Sequence, residues 1–104
     1  MEFGNILTDA INSHEGIWIT VHGSSMLPTI KDGQRVFLVP ASKYSIGDII
    51  AYKVETPKGI QHIFVHRVIF VRKTYVLTKG DNNSYIDPIK IMYDTIIGIV
   101  KDIC

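Results

Sequence analysis

Four side chains in this sequence can be assembled into one reaction: Ser25, His66, Asp81 and Asp87. Ser25 lies in the run His22-Gly23-Ser24-Ser25-Met26-Leu27-Pro28-Thr29. A serine in a Gly/Ser turn, straight after a β-rich apolar segment, can expose its hydroxyl at a strand end. A methionine and a rigid proline follow at once, which suits a nucleophile better than a surface loop. A serine hydroxyl is a weak nucleophile until a neighbouring base takes its proton. The histidines on offer are His14, His22, His62 and His66. His66 sits in the long apolar segment from Ile60 to Val71, where strand alternation puts it on one face with Phe64 and Val68. That setting can hold an imidazole neutral and fixed. His62 lies nearer the turn and is expected to be exposed. A catalytic imidazole also needs a carboxylate on its second nitrogen, to fix its tautomer. The polar loop Lys79–Pro88 offers two, Asp81 and Asp87.

The elements that must position these groups are mostly strands. Residues 2–13 place Phe3, Ile6, Leu7, Ala10 and Ile11 at helical spacing, and Asn12, Ser13 and Gly16 end that short N-terminal helix. Its stripe is expected to pack on the domain, with a peripheral membrane or partner contact as the other use. The chain reads as β from about residue 16 to 101. Ile17–Val21 leads into the serine turn. Gln34–Val39 follows the Lys31-Asp32-Gly33 turn and stops at Pro40. Ile49–Val54 comes next, and Thr56-Pro57-Lys58-Gly59 has the residues of a type I turn. It joins that strand to Ile60–Val71. Arg72-Lys73-Thr74 makes a hairpin into Tyr75–Thr78, and a last strand spans about Thr95 to Lys101. Short strands divided by turn signals predict a mainly β fold, a small coiled antiparallel barrel or sandwich. Pairing of Tyr75–Thr78 with the His66 strand would bring the loop that follows back beside His66.

Composition narrows the class. The 104 residues predict one domain, 1–104, and 46% are hydrophobic, enough for a small core without disulfides. The formal net charge is +1 and the basic residues are scattered, which argues against a nucleic-acid partner. The single cysteine is the last residue, Cys104, so no disulfide staples the fold and a reducing, cytoplasmic compartment is expected. No run reaches the ~18 apolar residues of a membrane span, and no basic-then-apolar secretory signal opens the chain.

Four sequence boxes together resemble the type I signal peptidases. Gly23-Ser24-Ser25-Met26-Leu27-Pro28-Thr29 is similar to their serine box, and Gly47-Asp48-Ile49-Ile50-Ala51-Tyr52 to their Gly-Asp strand box. Val65-His66-Arg67-Val68-Ile69 resembles the base box, and Thr78-Lys79-Gly80-Asp81-Asn82-Asn83 with Asp87 the aspartate box. Ile97-Gly98-Ile99-Val100 resembles the closing strand. The boxes stand in family order over roughly residues 20–100. Bacterial members commonly place a Lys-Arg pair in the base box, and the endoplasmic-reticulum and archaeal type places histidine there. His66-Arg67 puts this chain with the Ser-His type. The resemblance implies Ser25 as nucleophile, His66 as general base and then acid, Asp87 as the orienting carboxylate and Asp81 as a supporting acid. It implies an oxyanion donor at the Ser25 N–H supported by Ser24 and Gly23, and substrate contacts from Met26, Leu27 and Pro28. It further implies a peptide or precursor-protein substrate, cleavage after small residues at the first and third positions, and no metal or cofactor. The membrane helix that precedes the serine box in the family is not seen in the sequence, which shifts the expected role towards leader trimming.

Competing readings exist for each residue. Ser25 taken alone is a turn serine, and Ser24 is a rival nucleophile. Asp81-Asn82-Asn83 is a good turn in any protein, and Asp87 before Pro88 can simply shape its loop. Arg67, on the opposite strand face from His66, is expected to pair with a carboxylate. Met26 and Leu27 can be groove or core. His22, His62, His66 and Asp81 contain zinc-type ligands, but no tight ligand motif is present, and a strand separates His62 from His66 by ~13 Å. A self-cleaving repressor-type domain has a related fold but uses Ser-Lys. A catalytically inactive peptidase fold that binds peptides is the remaining alternative.

Overall fold

Turn residues cut the apolar segments into strands close to the expected boundaries. A computed structural model describes residues 15–104. It contains β1 (Ile17–Thr20), β2 (Arg35–Val39), β3 (Ile49–Glu55), β4 (Gln61–Val71), β5 (Tyr75–Lys79), β6 (Ile91–Met92), a 3-10 turn (Tyr93–Thr95) and β7 (Ile96–Ile103). The Thr56–Gly59 turn closes with Gly59 N–H donating to the Thr56 carbonyl at 2.9 Å. The helix expected over residues 2–13 lies outside the described residues.

All strand pairs are antiparallel, in the order β1-β2-β7-β3-β4-β5-β6. The last strand returns to lie between β2 and β3. Consecutive side chains on a strand go to opposite faces, and both faces of this sheet carry an apolar cluster. Val36, Leu38, Ala51, Val65 and Ile97 gather on one face with Val21, Met26 and Ile30 from the serine segment. Ile50, Tyr52, Val68, Val76 and Ile91 gather on the other.

The expected barrel or sandwich is corrected by this pairing. Among the described residues the strands form one seven-stranded sheet that does not close, with β1 and β6 at its edges. Closure fails at a definite place. Residues 61–67 of β4 pair with β3, whereas β5 joins β4 only from Arg67 onward. Among the described residues, β4 is therefore paired on one side over residues 62–66, and β1 is paired only with β2. These two half-paired strands flank a groove of about 600 Å³. The sheet's incomplete closure thus creates the space beside the candidate site.

Candidate active site

The serine segment is built as a turn pinned by its apolar residues. Gly23 takes a φ of 96°, in the left-handed region that favours glycine. Its N–H donates to Asp32 Oδ1 at 2.8 Å, tying the turn to the one before β2. Leu27 N–H donates to the Ser24 carbonyl and Ile30 N–H to the Met26 carbonyl. Met26 and Ile30 are fully buried against the sheet, so the turn is anchored from below and Ser25 sits half-buried above. Neither the Ser24 nor the Ser25 N–H donates to a described residue.

A second loop clamps this turn. Asn82 N–H donates to the Ser25 carbonyl at 2.8 Å, and Asn82 Nδ2 to the Ser24 carbonyl at 3.1 Å. Asp81 N–H contacts Met26 Sδ at 3.4 Å. Gly80 makes the close approach feasible, because a Cβ there would lie 2.6 Å from the Ser25 carbonyl oxygen. Gly80→Ala is therefore expected to push the two loops apart, at a stability cost of about 1–3 kcal/mol. Thermal melting and peptide cleavage measured side by side would show both falling together.

His66 stands opposite Ile50 in the β3–β4 register and is 7% exposed. Its ring lies against Phe64 at 6.0 Å and edge-on to Tyr52 at 6.3 Å. Nε2 is 3.0 Å from Ser25 Oγ, and Nδ1 is 2.6 Å from Asp87 Oδ2. Asp87 is held from the β5 side, its N–H donating to the Thr78 carbonyl at 2.8 Å. Thr78 Oγ1 donates to the same Asp87 Oδ2 at 2.6 Å, and Tyr52 OH donates to it at 3.1 Å. Burial pushes the Tyr52 phenol well above its ordinary value, so the hydroxyl keeps its proton and acts as a donor. A carboxylate surrounded by donors calls for the Nδ1–H tautomer of His66. That assignment leaves Nε2 free to accept the Ser25 proton.

Arg67 points to the opposite face. Its Nε and Nη2 each donate to an Asp81 oxygen at 2.8 Å, and Nη1 donates to the Gly47 carbonyl at 2.7 Å. Thr29 Oγ1 donates to Asp81 Oδ2 at 2.5 Å. Hydrogen bonding from Arg67, ahead of that from Thr29, holds the Asp81 carboxyl below its ordinary value. Asp81 therefore ties β4 to the far end of the serine turn and does not touch His66. Because its folded pKa is depressed, its stabilisation is complete above the unfolded carboxylate value of about 3.9. It is lost as pH falls through the lower folded value. Asp81→Asn is expected to lower the melting temperature at neutral pH. Its melting temperature should also fall less than the parent's below about pH 4, which a melting series across pH would check.

The other sequence candidates fall outside this line. His22 is exposed, 3.8 Å from Asp32, and His62 is exposed on β4. Among the described residues no group of His, Cys, Asp or Glu is arranged to hold a metal ion. Met26, a candidate for substrate contact, belongs to the core at 1% exposure, because the turn needs an apolar anchor there. Leu27 and Pro28 also lie outside the groove lining, which takes His22 and Ser25 from the serine segment. Tyr52 and Thr78 escaped the sequence reading. Their signal was a polar atom at a position whose strand neighbours on that face, Ile50 and Val76, are core.

The groove starts at Ser25 and His66 and runs back along β1 and β4. Ile19, Val21, Ile63 and Val65 lie on its apolar-cluster side.

Residues 3–101 match the family model described as Peptidase S24-like. The signal peptidase complex catalytic subunit SEC11 of Clavispora lusitaniae is 36% identical over 86 residues, covering 78% of this chain and 49% of that protein. SEC11 of Saccharomyces cerevisiae is 37% identical over 84 residues, covering 75% and 48%. The chain thus spans about half the length of these curated relatives. No solved structure matches the chain. No helix among the described residues is long and apolar enough to cross a membrane. A family match over nearly the whole sequence, with the likeness to these catalytic subunits, means that the chain belongs to the Peptidase S24-like family, within the type I signal peptidase-like superfamily.

Proposed function

We propose that the chain is a serine endopeptidase that cleaves leader or signal peptides after small residues. The observation that carries this reading is the continuous line from Ser25 Oγ through His66 to Asp87, with contacts of 3.0 and 2.6 Å. An extended precursor segment enters the groove between β1 and β4 as an added strand. Branched side chains on the groove floor suit short substrate side chains.

Ser25 Oγ attacks the scissile carbonyl carbon while His66 Nε2 takes the hydroxyl proton. The Asp87 carboxylate stabilises the imidazolium and holds its orientation. The developing oxyanion faces the Ser25 N–H, with Ser24 and Gly23 shaping the turn around it. The tetrahedral intermediate collapses as His66 returns its proton to the leaving amine. The peptide C–N bond breaks and an ester to Ser25 remains. Water, deprotonated by His66, then attacks the ester; the Ser25–acyl bond breaks as His66 returns the proton to Ser25 Oγ, releasing the acid product and the free enzyme. Asp81, through Arg67 and Thr29, holds the turn on which this depends.

The test is direct. Purified protein is incubated with a library of extended peptides, with and without chelator, and the products are read by mass spectrometry. Cleavage after small residues, unchanged by chelator, is expected. Loss of cleavage with chelator would overturn the mechanism. Peptide capture without cleavage would favour an inactive binding module instead.

A further inference from the structure

Two aromatic rings stand on the groove walls; neither touches the reacting atoms, although Phe64 also packs on the His66 ring. Trp18 on β1 and Phe64 on β4 both line the groove, yet remain 39% and 41% exposed. Each lies on the strand face opposite the groove floor: Trp18 alternates with Ile17 and Ile19, and Phe64 with Ile63 and Val65. Both rings are already held in place. Trp18 packs on Phe37 at 5.2 Å, with the Arg35 guanidinium over its ring at 5.2 Å. Phe64 lies against Tyr52 at 5.9 Å, His62 at 6.2 Å and His66 at 6.0 Å. A large ring that is fixed but exposed loses little freedom when a ligand covers it. What sets these two apart from the other exposed apolar side chains is that both face one groove.

We propose that Trp18 and Phe64 form an aromatic subsite for apolar substrate side chains, at residues alternating with those that lie on the groove floor. The proposal rests on the peptidase reading and extends it to substrate selection. A strand added between β1 and β4 has side chains on both faces in turn. One set meets Ile19, Val21, Ile63 and Val65. The other set has Trp18 and Phe64 as cross-strand neighbours, the pairing in which aromatic and aliphatic side chains stabilise one another. Phe64 is two residues from His66, which is about 6.6 Å along the strand. The subsite therefore lies within about two to four residues of the scissile bond. Among the described residues the groove lining holds no Asp or Glu, and the Arg35 guanidinium stands over Trp18 at its edge, so a lysine side chain there would lose water without gaining an opposite charge.

The test uses a peptide series around one cleaved sequence. Phe, Leu, Ala, Lys or Asp is placed singly at each of the four residues on either side of the cut. The expected result is a preference of about 10-fold in kcat/KM for Phe or Leu over Lys, at alternate positions and mainly in KM, with Asp between them because Arg35 stands over Trp18. Phe64→Ala and Trp18→Ala should bring the Phe-to-Ala ratio towards one, while Phe64→Leu and Trp18→Phe retain most of it. A flat wild-type profile with normal cleavage would overturn the subsite and leave the peptidase reading standing. So would a Phe-to-Ala ratio unchanged in folded Phe64→Ala and Trp18→Ala proteins. Absence of cleavage across the series would instead overturn the peptidase reading itself. Should an alanine variant fail to fold, the wild-type profile and the conservative pair still decide the matter.

Discussion

Ser25→Ala is expected to abolish peptide cleavage while leaving the fold intact. The side-chain hydroxyl has one contact of consequence, the 3.0 Å approach to His66 Nε2. The turn itself is held by other atoms: the buried Met26 and Ile30, the Ser25 carbonyl and the Asn82 side chain. Removing Oγ therefore costs little stability, about 1 kcal/mol or less. Activity should fall by a factor of about 10³ to 10⁶, the range seen when a nucleophile is lost from an acyl-transfer site. Ser24→Ala separates the two serines of the turn. Only Ser25 reaches His66, so the Ser24 variant should retain activity within about tenfold, the scale of one modest hydrogen bond. Initial rates for the two variants, with melting curves, check both statements.

Asp87→Asn should be nearly as damaging as His66→Ala, for a different reason. Asp87 Oδ2 faces three groups, His66 Nδ1, Thr78 Oγ1 and Tyr52 OH. An amide cannot serve them as a carboxylate does. If its NH₂ turns to His66, Nδ1 must become an acceptor and the proton moves to Nε2, where it blocks uptake from Ser25. If its oxygen turns to His66, no negative charge remains to stabilise the imidazolium. Either orientation predicts a fall in kcat of about 10² to 10⁴ with little change in KM. The fold also loses part of a buried network, at about 1–3 kcal/mol. Asp81→Asn should behave otherwise. It loosens the serine turn through Thr29 and Arg67, so its loss of activity should track its loss of stability across temperature. Rates at several temperatures on both variants would distinguish the two carboxylates.

The local chemistry of this fold is legible in its sequence, and its long-range pairing is not. β1 to β5 follow from compact turns such as Lys31-Asp32-Gly33 and Thr56–Gly59, whose residue types favour turns in any context. β6 has two residues, too few for a period to register. The insertion of β7 between β2 and β3 has no local marker, since contact between distant strands decides it. The open groove follows from the same cause. It depends on where β5 begins to pair with β4, a register that no single segment encodes. At the site, alternation along β4 correctly separated His66 from Arg67. Applied one step further, it separates the two carboxylates, because Asp81 follows Arg67 to its face and leaves Asp87 with His66. Met26 shows the opposite limit. A residue next to a nucleophile reads as a substrate contact, and only packing reveals it as the anchor of the turn.

In the proposed mechanism Ser25 takes up the acyl half of the substrate as a covalent ester. Acid quenching during turnover of a cleaved peptide, followed by digestion and mass mapping, measures it directly. An ester-linked N-terminal substrate fragment is expected on Ser25 and not in Ser25→Ala protein. An acyl fragment on another residue, or undiminished cleavage by Ser25→Ala protein, would contradict it.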